Sequence, residues 1–123
     1  DELYCYLDIA KGNMFCNAKF IESQAEEIFG KLKGENFLRG LDEKEISLRL
    51  AYYFSEINAL PPFREGNGRC QREFIRTLAL HAGYVINFAN VSKEEMLKAS
   101  EDSFLCDYKR MEQLFARCIR KKN

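Results

Sequence analysis

The residues best suited to chemistry lie in the segment FREGNGRCQR, from Phe63 to Arg72. Gly66 and Gly68 have no side chains, so the backbone there can adopt left-handed conformations and turn its N–H groups toward an anion. A helix that begins near Gly68 or Arg69 would add unpaired N–H groups and the positive end of its dipole at the same place. This combination is typical of a phosphate-binding site.

Arginines continue the segment into the helix that follows it. At about 100° per residue, Arg69, Arg72 and Arg76 fall in one narrow sector, and apolar residues fall opposite them. Positive charge near a helix N-terminus opposes the helix dipole, and a bound polyphosphate would offset that cost. The alternative is that these arginines pair with surface carboxylates. Because the glycines come directly before them, the pattern favours phosphate binding.

Glu65 lies just before the glycines, where its carboxylate would repel a phosphate unless a divalent cation lay between them. Mg²⁺ commonly links one or two carboxylates to substrate phosphates, which makes Glu65 a candidate metal ligand. The alternative is a solvated glutamate in a loop. The segment is not a Walker A loop, because no Gly-Lys-Ser/Thr follows at the required spacing.

Helices must position this segment, and the chain is predicted to be mainly α. Apolar periodicity and capping residues predict helices over residues 17–33, 42–60, 69–82, 92–103 and 107–120. Pro61 ends the second of these helices. The strand candidates are LYCYLDI near the start and YVINF after Gly83, and the glycine-bracketed GENFLRG is predicted to form a small hairpin.

Composition limits the classes of partner. The 123 residues suit a single domain, and 19 Lys and Arg balance 19 Asp and Glu, so a nucleic-acid or anionic-membrane partner is not expected. Five cysteines without a Cys-x-x-Cys pair, and a single histidine, His81, argue against zinc. They predict reduced thiols in a cytoplasmic protein. Neither a signal-peptide pattern nor an apolar run of membrane-spanning length is found, which agrees with that expectation.

The segment also resembles the signature of the Fic (filamentation induced by cAMP) family, His-Pro-Phe-x-Asp/Glu-Gly-Asn-Gly-Arg-x-x-Arg. The stretches GNMFCNAKFI, NFLRGL, AYYFSEINAL, QREFIRTLALHAGY and DYKRMEQLF are similar to Fic domains of the bacterial cell-filamentation type. This resemblance implies a compact helical domain with a small β-hairpin, the flap, over the active site, at ENFLRGL. It implies that residues 1–123 form one Fic-like domain that lacks part of the family's N-terminal region.

The same resemblance implies a function. Family members transfer AMP from ATP to a hydroxyl of a target protein with Mg²⁺, as protein adenylyltransferases, and by resemblance Glu65 holds the metal. The nucleotide-binding residues would be Phe63, Gly66, Asn67, Gly68, Arg69 and Arg72. The flap residues Phe37, Leu38 and Arg39 would register the target by edge-strand pairing. Some Fic proteins carry an inhibitory helix with the motif Ser/Thr-x-x-x-Glu-Gly/Asn, which has no clean copy here. By resemblance, such an element would lie in the missing N-terminal part or on a separate antitoxin or inhibitory partner.

The sequence departs from the family at its catalytic position. The family's histidine, the general base for the attacking hydroxyl, belongs at position 61, where this chain has Pro61. Proline cannot accept a proton, and a general base typically contributes about 10²- to 10⁴-fold in rate. His81 falls near the angle of Phe74 on its helix, away from the arginines, so a partly buried structural role is expected. A substitute base would be Glu56, another carboxylate or a partner's residue.

Three hypotheses follow from Pro61. The favoured one is a binding module that holds a magnesium nucleotide with AMP transfer impaired or lost, because a phosphate loop without its base can still bind. The second is an active or altered nucleotidyltransferase that uses a substitute base. The third is that Pro61 is a lesion in an otherwise active enzyme, which Pro61→His would repair.

Overall fold

The computed structural model of the chain describes residues 22–59 and 69–122, with the backbone alone at residues 22–25, 69 and 70. We number its elements in chain order as α1 (Glu22–Gly34), a 3₁₀ turn (Asn36–Leu38), α2 (Glu43–Asn58), α3 (Arg69–His81), β1 (Tyr84–Ile86), α4 (Lys93–Phe104), α5 (Lys109–Cys118) and β2 (Ile119–Lys121). The prediction of a mainly α fold is confirmed.

Helix α2 is the centre of the described fold and packs against α1, α3, α4 and α5. Ile46, Leu50, Phe54 and Ile57 recur at helical spacing and are almost fully buried. Because spacings of three and four residues place side chains on one side of a helix, these four form the centre of the core. Core packing therefore fixes the position of the C-terminal end of α2, which precedes residues 60–68 in the chain.

The predicted helix starts at α2 and α4 are confirmed. Asp42 Oδ1 accepts a hydrogen bond from the Glu45 backbone N–H at 2.8 Å. At α4, Ser92 Oγ accepts from the Glu95 N–H at 3.0 Å, and Glu95 Oε2 accepts from the Ser92 N–H at 3.3 Å. These bonds satisfy N–H groups that the first turn of a helix leaves unpaired.

The two described strands are short and come from distant parts of the chain. Strands β1 and β2 pair antiparallel, with Tyr84 opposite Lys121 and Ile86 opposite Ile119. The strand predicted in YVINF is confirmed, whereas the last helix ends at Cys118 and not at the predicted residue 120, because Ile119 begins β2. The other strand candidate, LYCYLDI, lies outside the described residues.

The hairpin predicted for GENFLRG is wrong. Asn36, Phe37 and Leu38 form a 3₁₀ turn with φ angles of 55°, 53° and 65°, all in the left-handed region. Leu38 is fully buried, so its side chain holds the turn against the core. Because the backbone of these three residues is left-handed, it is not extended and cannot form the strands of a hairpin. Gly40, with a φ of 84°, then lets the chain turn toward α2.

Residues 22–59 and 69–122 show neither a membrane span nor a metal cluster. No helix in these ranges has the length and apolar character needed to cross a bilayer. No group of three His, Cys, Asp or Glu side chains in the same ranges is placed to hold a metal ion. The two cysteines described with their side chains are both free thiols, Cys106 exposed and Cys118 buried.

Candidate functional site

A groove with a volume of about 610 Å³ lies between the C-terminal end of α2, the N-terminal end of α3, and α4. Its apolar lining consists of Phe54, Phe88, Val91, Met96, Leu97 and Phe104. Its polar lining includes Asn58 from α2, Gln71 and Arg72 from α3, and the first residues of α4. Because residues 60–68 connect α2 to α3, the groove adjoins both ends of the segment that contains the predicted phosphate loop.

The apolar wall of the groove is held by a cluster of three aromatic rings. Phe54 and Phe88, which face the groove, stack with their ring centroids 6.3 Å apart. Phe115 from α5 meets both rings edge-on from behind, with centroids 5.5 Å from Phe54 and 5.7 Å from Phe88. Edge-to-face pairs stabilise a core beyond the effect of buried area. The groove wall is thus part of the core and is formed before any ligand binds.

Helix α3 begins at Arg69, directly after the glycines, as the sequence predicted. Its N-terminal N–H groups and the positive end of its dipole are therefore next to the predicted phosphate loop. The remaining predicted residues of this loop lie outside the described residues: Pro61, Phe63, Glu65, Gly66, Asn67 and Gly68. Arg69 is described by its backbone alone.

Arg72 is the predicted phosphate ligand whose side chain the structure describes. It is half-buried and lines the groove, and no carboxylate in the described ranges forms an ion pair with it. Arg76, one turn further along α3, differs: its Nε donates to Glu73 Oε2 at 2.8 Å. Pairing with a surface carboxylate, the alternative reading of these arginines, is therefore correct for Arg76. Among the described carboxylates, none would compete with an anion in the groove for Arg72.

The turn at residues 36–39 is held in place by an ion pair at Glu35. Arg49 Nε and Nη2 donate to Glu35 Oε1 and Oε2 at 2.8 and 2.6 Å, and the Tyr53 hydroxyl also donates to Oε2. The Arg49 guanidinium lies 4.7 Å from the centroid of the Tyr52 ring. Together these contacts fix the backbone position from which the half-buried Phe37 and the exposed Arg39 project.

We expect Glu35→Gln to destabilise the protein at neutral pH and to lose this effect in acid. Hydrogen bonds from Arg49 hold the pKa of the Glu35 carboxyl below its usual value, despite the opposing effect of burial. The stabilisation is therefore fully present above the unfolded pKa, about 4.3, and is lost as the pH falls through the lowered folded pKa.

Urea unfolding at a series of pH values measures this effect. The free energies of unfolding of the wild type and Glu35→Gln should differ at pH 7 and converge below about pH 4. Glu101→Gln, at an exposed position on α4, is the matched control. A difference that stays constant over the whole pH range would contradict the assignment of the ionised Glu35 as the stabilising partner.

The structure separates the two alternative proton acceptors from the groove. His81 is half-buried at the end of α3 and is not part of the groove lining, as predicted for a structural histidine. Glu56 Oε1 accepts a hydrogen bond from the Tyr52 hydroxyl at 2.9 Å, and Lys31 Nζ donates to that hydroxyl at 3.1 Å. Glu56 is thus bound to Tyr52 and is not among the residues that line the groove. Among the described carboxylates, Glu94 lines the groove.

The sequence pattern did not reveal the roles of Gln71 and α4 in the groove. Gln71 is only 1% exposed and lines the groove. It comes three and four residues before Phe74 and Ile75, both buried, so helical spacing already placed a polar side chain on the core side of α3. The apolar residues of α4 carried no such signal, because an apolar stripe on a helix usually indicates core packing.

A family model matches most of the chain. The Fic/DOC family model matches residues 8–79, more than half of the chain, and the chain therefore belongs to the Fic/DOC family. The protein adenylyltransferase VbhT of Bartonella schoenbuchensis is 50% identical over 99 residues, which are 80% of this chain and 21% of that protein. The probable protein adenylyltransferase Fic of Escherichia coli K12 is 34% identical over 114 residues, 92% of this chain and 57% of that protein.

A solved structure confirms the Fic-type helical fold. The N-terminal Fic domain of a cell filamentation protein from Bartonella quintana, with bound ADP, matches with a TM-score of 0.79 and 32% identity. The match covers 84% of this chain and 49% of that one. The chain spans about a fifth of the length of VbhT and just over half of the length of the Escherichia coli protein.

Proposed function

We propose that the chain binds Mg-ATP, or a related nucleotide, at the segment FREGNGRCQR and the adjoining groove. We further propose that AMP transfer to target hydroxyls is impaired or lost because Pro61 replaces the general base. The observation that carries the binding proposal is the position of Arg72. It is half-buried beside a helix N-terminus, lines the groove, and has no ion-pair partner among the described carboxylates. Relatives named as protein adenylyltransferases, and a Fic domain solved with ADP, support the same assignment.

The groove has the two chemical environments that a nucleotide needs. Its volume of about 610 Å³ lies within the usual range of small-molecule sites, about 300–1,000 Å³. The aromatic wall of Phe54 and Phe88 offers apolar contact to a nucleoside. Arg72 and the N-terminus of α3 provide positive charge and N–H donors for phosphates. A nucleotide could therefore place its base against the wall and its phosphates at α3.

The residues before α3 would complete the phosphate site. The backbone of Gly66, Asn67 and Gly68 would cradle the phosphates, and Arg69 would join Arg72 in neutralising them. Glu65 would hold Mg²⁺, which would supply positive charge between its carboxylate and the phosphates. Phe63, the signature aromatic, would complete the nucleotide site. Phe37 and Arg39 would contact the target protein through their side chains and not by the predicted edge-strand pairing, because the segment is a 3₁₀ turn. Leu38 is fully buried and would only hold that turn in place.

Transfer of AMP needs a proton acceptor that binding does not need. A target hydroxyl oxygen attacks the α-phosphorus of ATP, the bond to pyrophosphate breaks, and the hydroxyl proton must leave. At position 61 proline has no group that can accept this proton. The loss of a general base typically slows a reaction by about 10²- to 10⁴-fold, whereas the groups that bind phosphate remain in the sequence.

Calorimetric titration with Mg-ATP tests this proposal. The wild-type chain should release heat on binding, and Arg72→Ala should weaken the affinity by about 10- to 100-fold, the usual effect of losing a charged hydrogen bond. Arg76→Ala is the matched control, because Arg76 lies on the same helix but is bound to Glu73. No heat from the wild-type chain, or equal losses in the two variants, would count against nucleotide binding at α3.

A further inference from the structure

Gln71 is a buried polar side chain that lacks a partner. It is 1% exposed and lines the groove, and its Oε1 atom has no hydrogen-bond partner among the described residues. The buried serines behave differently: Ser47, Ser55 and Ser103 each donate to a backbone carbonyl of their own helix, at 2.8 Å. A buried polar atom without a partner lowers stability, so its presence in a cavity wall points to a missing ligand.

The position of Gln71 restricts what that ligand group can be. The side chain is next to Arg72 in the sequence, but it lies on the buried side of α3, with Phe74 and Ile75. A group that reaches it therefore lies deeper in the groove than the phosphates that Arg72 would hold. An amide oxygen only accepts hydrogen bonds, so the ligand must present an N–H or O–H donor.

We propose that Gln71 Oε1 accepts a hydrogen bond from a donor of the bound nucleoside, and that Gln71 thereby determines nucleotide specificity. This inference rests on the proposed function of the groove. The nucleoside of ATP has two kinds of donor, the 6-amino group of adenine and the ribose hydroxyls. Guanine has an acceptor oxygen at the equivalent position of the base. A buried acceptor rejects a ligand that brings no donor, because both groups then lose water without gaining a bond.

A ligand-binding glutamine and a structural glutamine predict opposite effects on stability. Methionine has nearly the same length as glutamine and no amide, so Gln71→Met removes the buried oxygen with little change of shape. If Oε1 is unpaired in the free protein, this substitution should leave its stability unchanged or raise it. If Gln71 were needed for packing or for an internal hydrogen bond, the same substitution would lower stability.

The experiment combines calorimetry with urea unfolding of the 123-residue chain. Mg-ATP, its analogue without the 6-amino group, 2′-deoxy-ATP and 3′-deoxy-ATP are titrated into the wild type and Gln71→Met. We expect Gln71→Met to bind Mg-ATP about tenfold more weakly, without loss of stability in the free state. One analogue should bind the wild type about as weakly as Mg-ATP binds Gln71→Met, and it should bind Gln71→Met no more weakly than Mg-ATP does. The group that this analogue lacks is then the donor to Gln71. Gln113→Met, at an exposed position on α5, is the matched control.

The outcomes separate the inference from the proposed function. If Gln71→Met binds Mg-ATP as tightly as the wild type does, and each analogue has the same affinity for both proteins, the role of Gln71 is overturned. Nucleotide binding by the groove is then still supported. Weaker binding together with a loss of stability in the free state assigns Gln71 a structural role and overturns the inference too. No binding of any nucleotide by the wild type removes both proposals. If Gln71→Met does not fold, Gln71→Asn replaces it, because its shorter side chain moves the acceptor oxygen away from the ligand. The same analogues are then titrated into the wild type and Gln71→Asn, and their affinities test the inference.

Discussion

Pro61→His is expected to raise the rate of AMP transfer by about 10²- to 10⁴-fold, the usual contribution of a general base. The expectation follows from the sequence FREGNGRCQR, which keeps the carboxylate, glycines and arginines of the Fic signature and lacks its histidine. Transfer is measured as radiolabelled AMP that passes from ATP to protein in a bacterial lysate, with identical amounts of each variant.

Pro61→Ala is the control for this substitution. It removes the proline ring, as Pro61→His does, but it supplies no proton acceptor, so its transfer rate should stay at the wild-type level. Equal transfer by all three proteins would contradict the missing-base explanation. If that shared rate were high, it would favour a substitute base, for which Glu94 is the described carboxylate in the groove. If none transferred AMP, more than the base would have been lost.

Phe115→Ala should lower the free energy of unfolding by about 3–5 kcal/mol, a large fraction of the stability of a domain of this size. Phe115 is fully buried and supports both Phe54 and Phe88 from behind, so its removal leaves a cavity next to the groove wall. Phe115→Leu keeps much of the volume and should cost less. Unfolding in urea measures both effects.

The matched control is Leu105→Ala, because Leu105 is 83% exposed and its truncation creates no cavity. The free energy of unfolding of Leu105→Ala should lie within about 0.5 kcal/mol of the wild-type value. A similar free energy of unfolding for Phe115→Ala and Leu105→Ala would show that the aromatic cluster is not part of a tightly packed core. The preformed wall of the groove would then lose its physical basis.

Local signals in the sequence predicted the helices well. Asp42 and Ser92 mark helix starts because their side chains satisfy the N–H groups of the first turn, an interaction contained within four residues. Distant packing decided the features that were missed. Leu38 fixes the left-handed turn only because the core receives its side chain, and β2 forms only because β1 lies beside it.

The candidate site also has one part that local sequence predicts and another part that depends on distant packing. The pattern that predicts phosphate binding is contiguous, so its glycines, carboxylate and arginines could be recognised together. Helix α3 does begin directly after the glycines. The groove is assembled from α2, α3 and α4, whose lining residues are spread from Phe54 to Phe104. No local pattern brings these residues together, because only the packing of the helices around α2 does so. The separation of Glu56 from the groove also depends on that packing.

The most direct test is a parallel measurement of binding and transfer in two proteins. Mg-ATP is titrated into the wild-type chain and into Pro61→His, and AMP transfer is measured on the same preparations. We expect equal dissociation constants in the two proteins and efficient transfer in Pro61→His alone. Nucleotide binding that appears only when the histidine is present, or that is absent from both proteins, would contradict a nucleotide site that has lost its base.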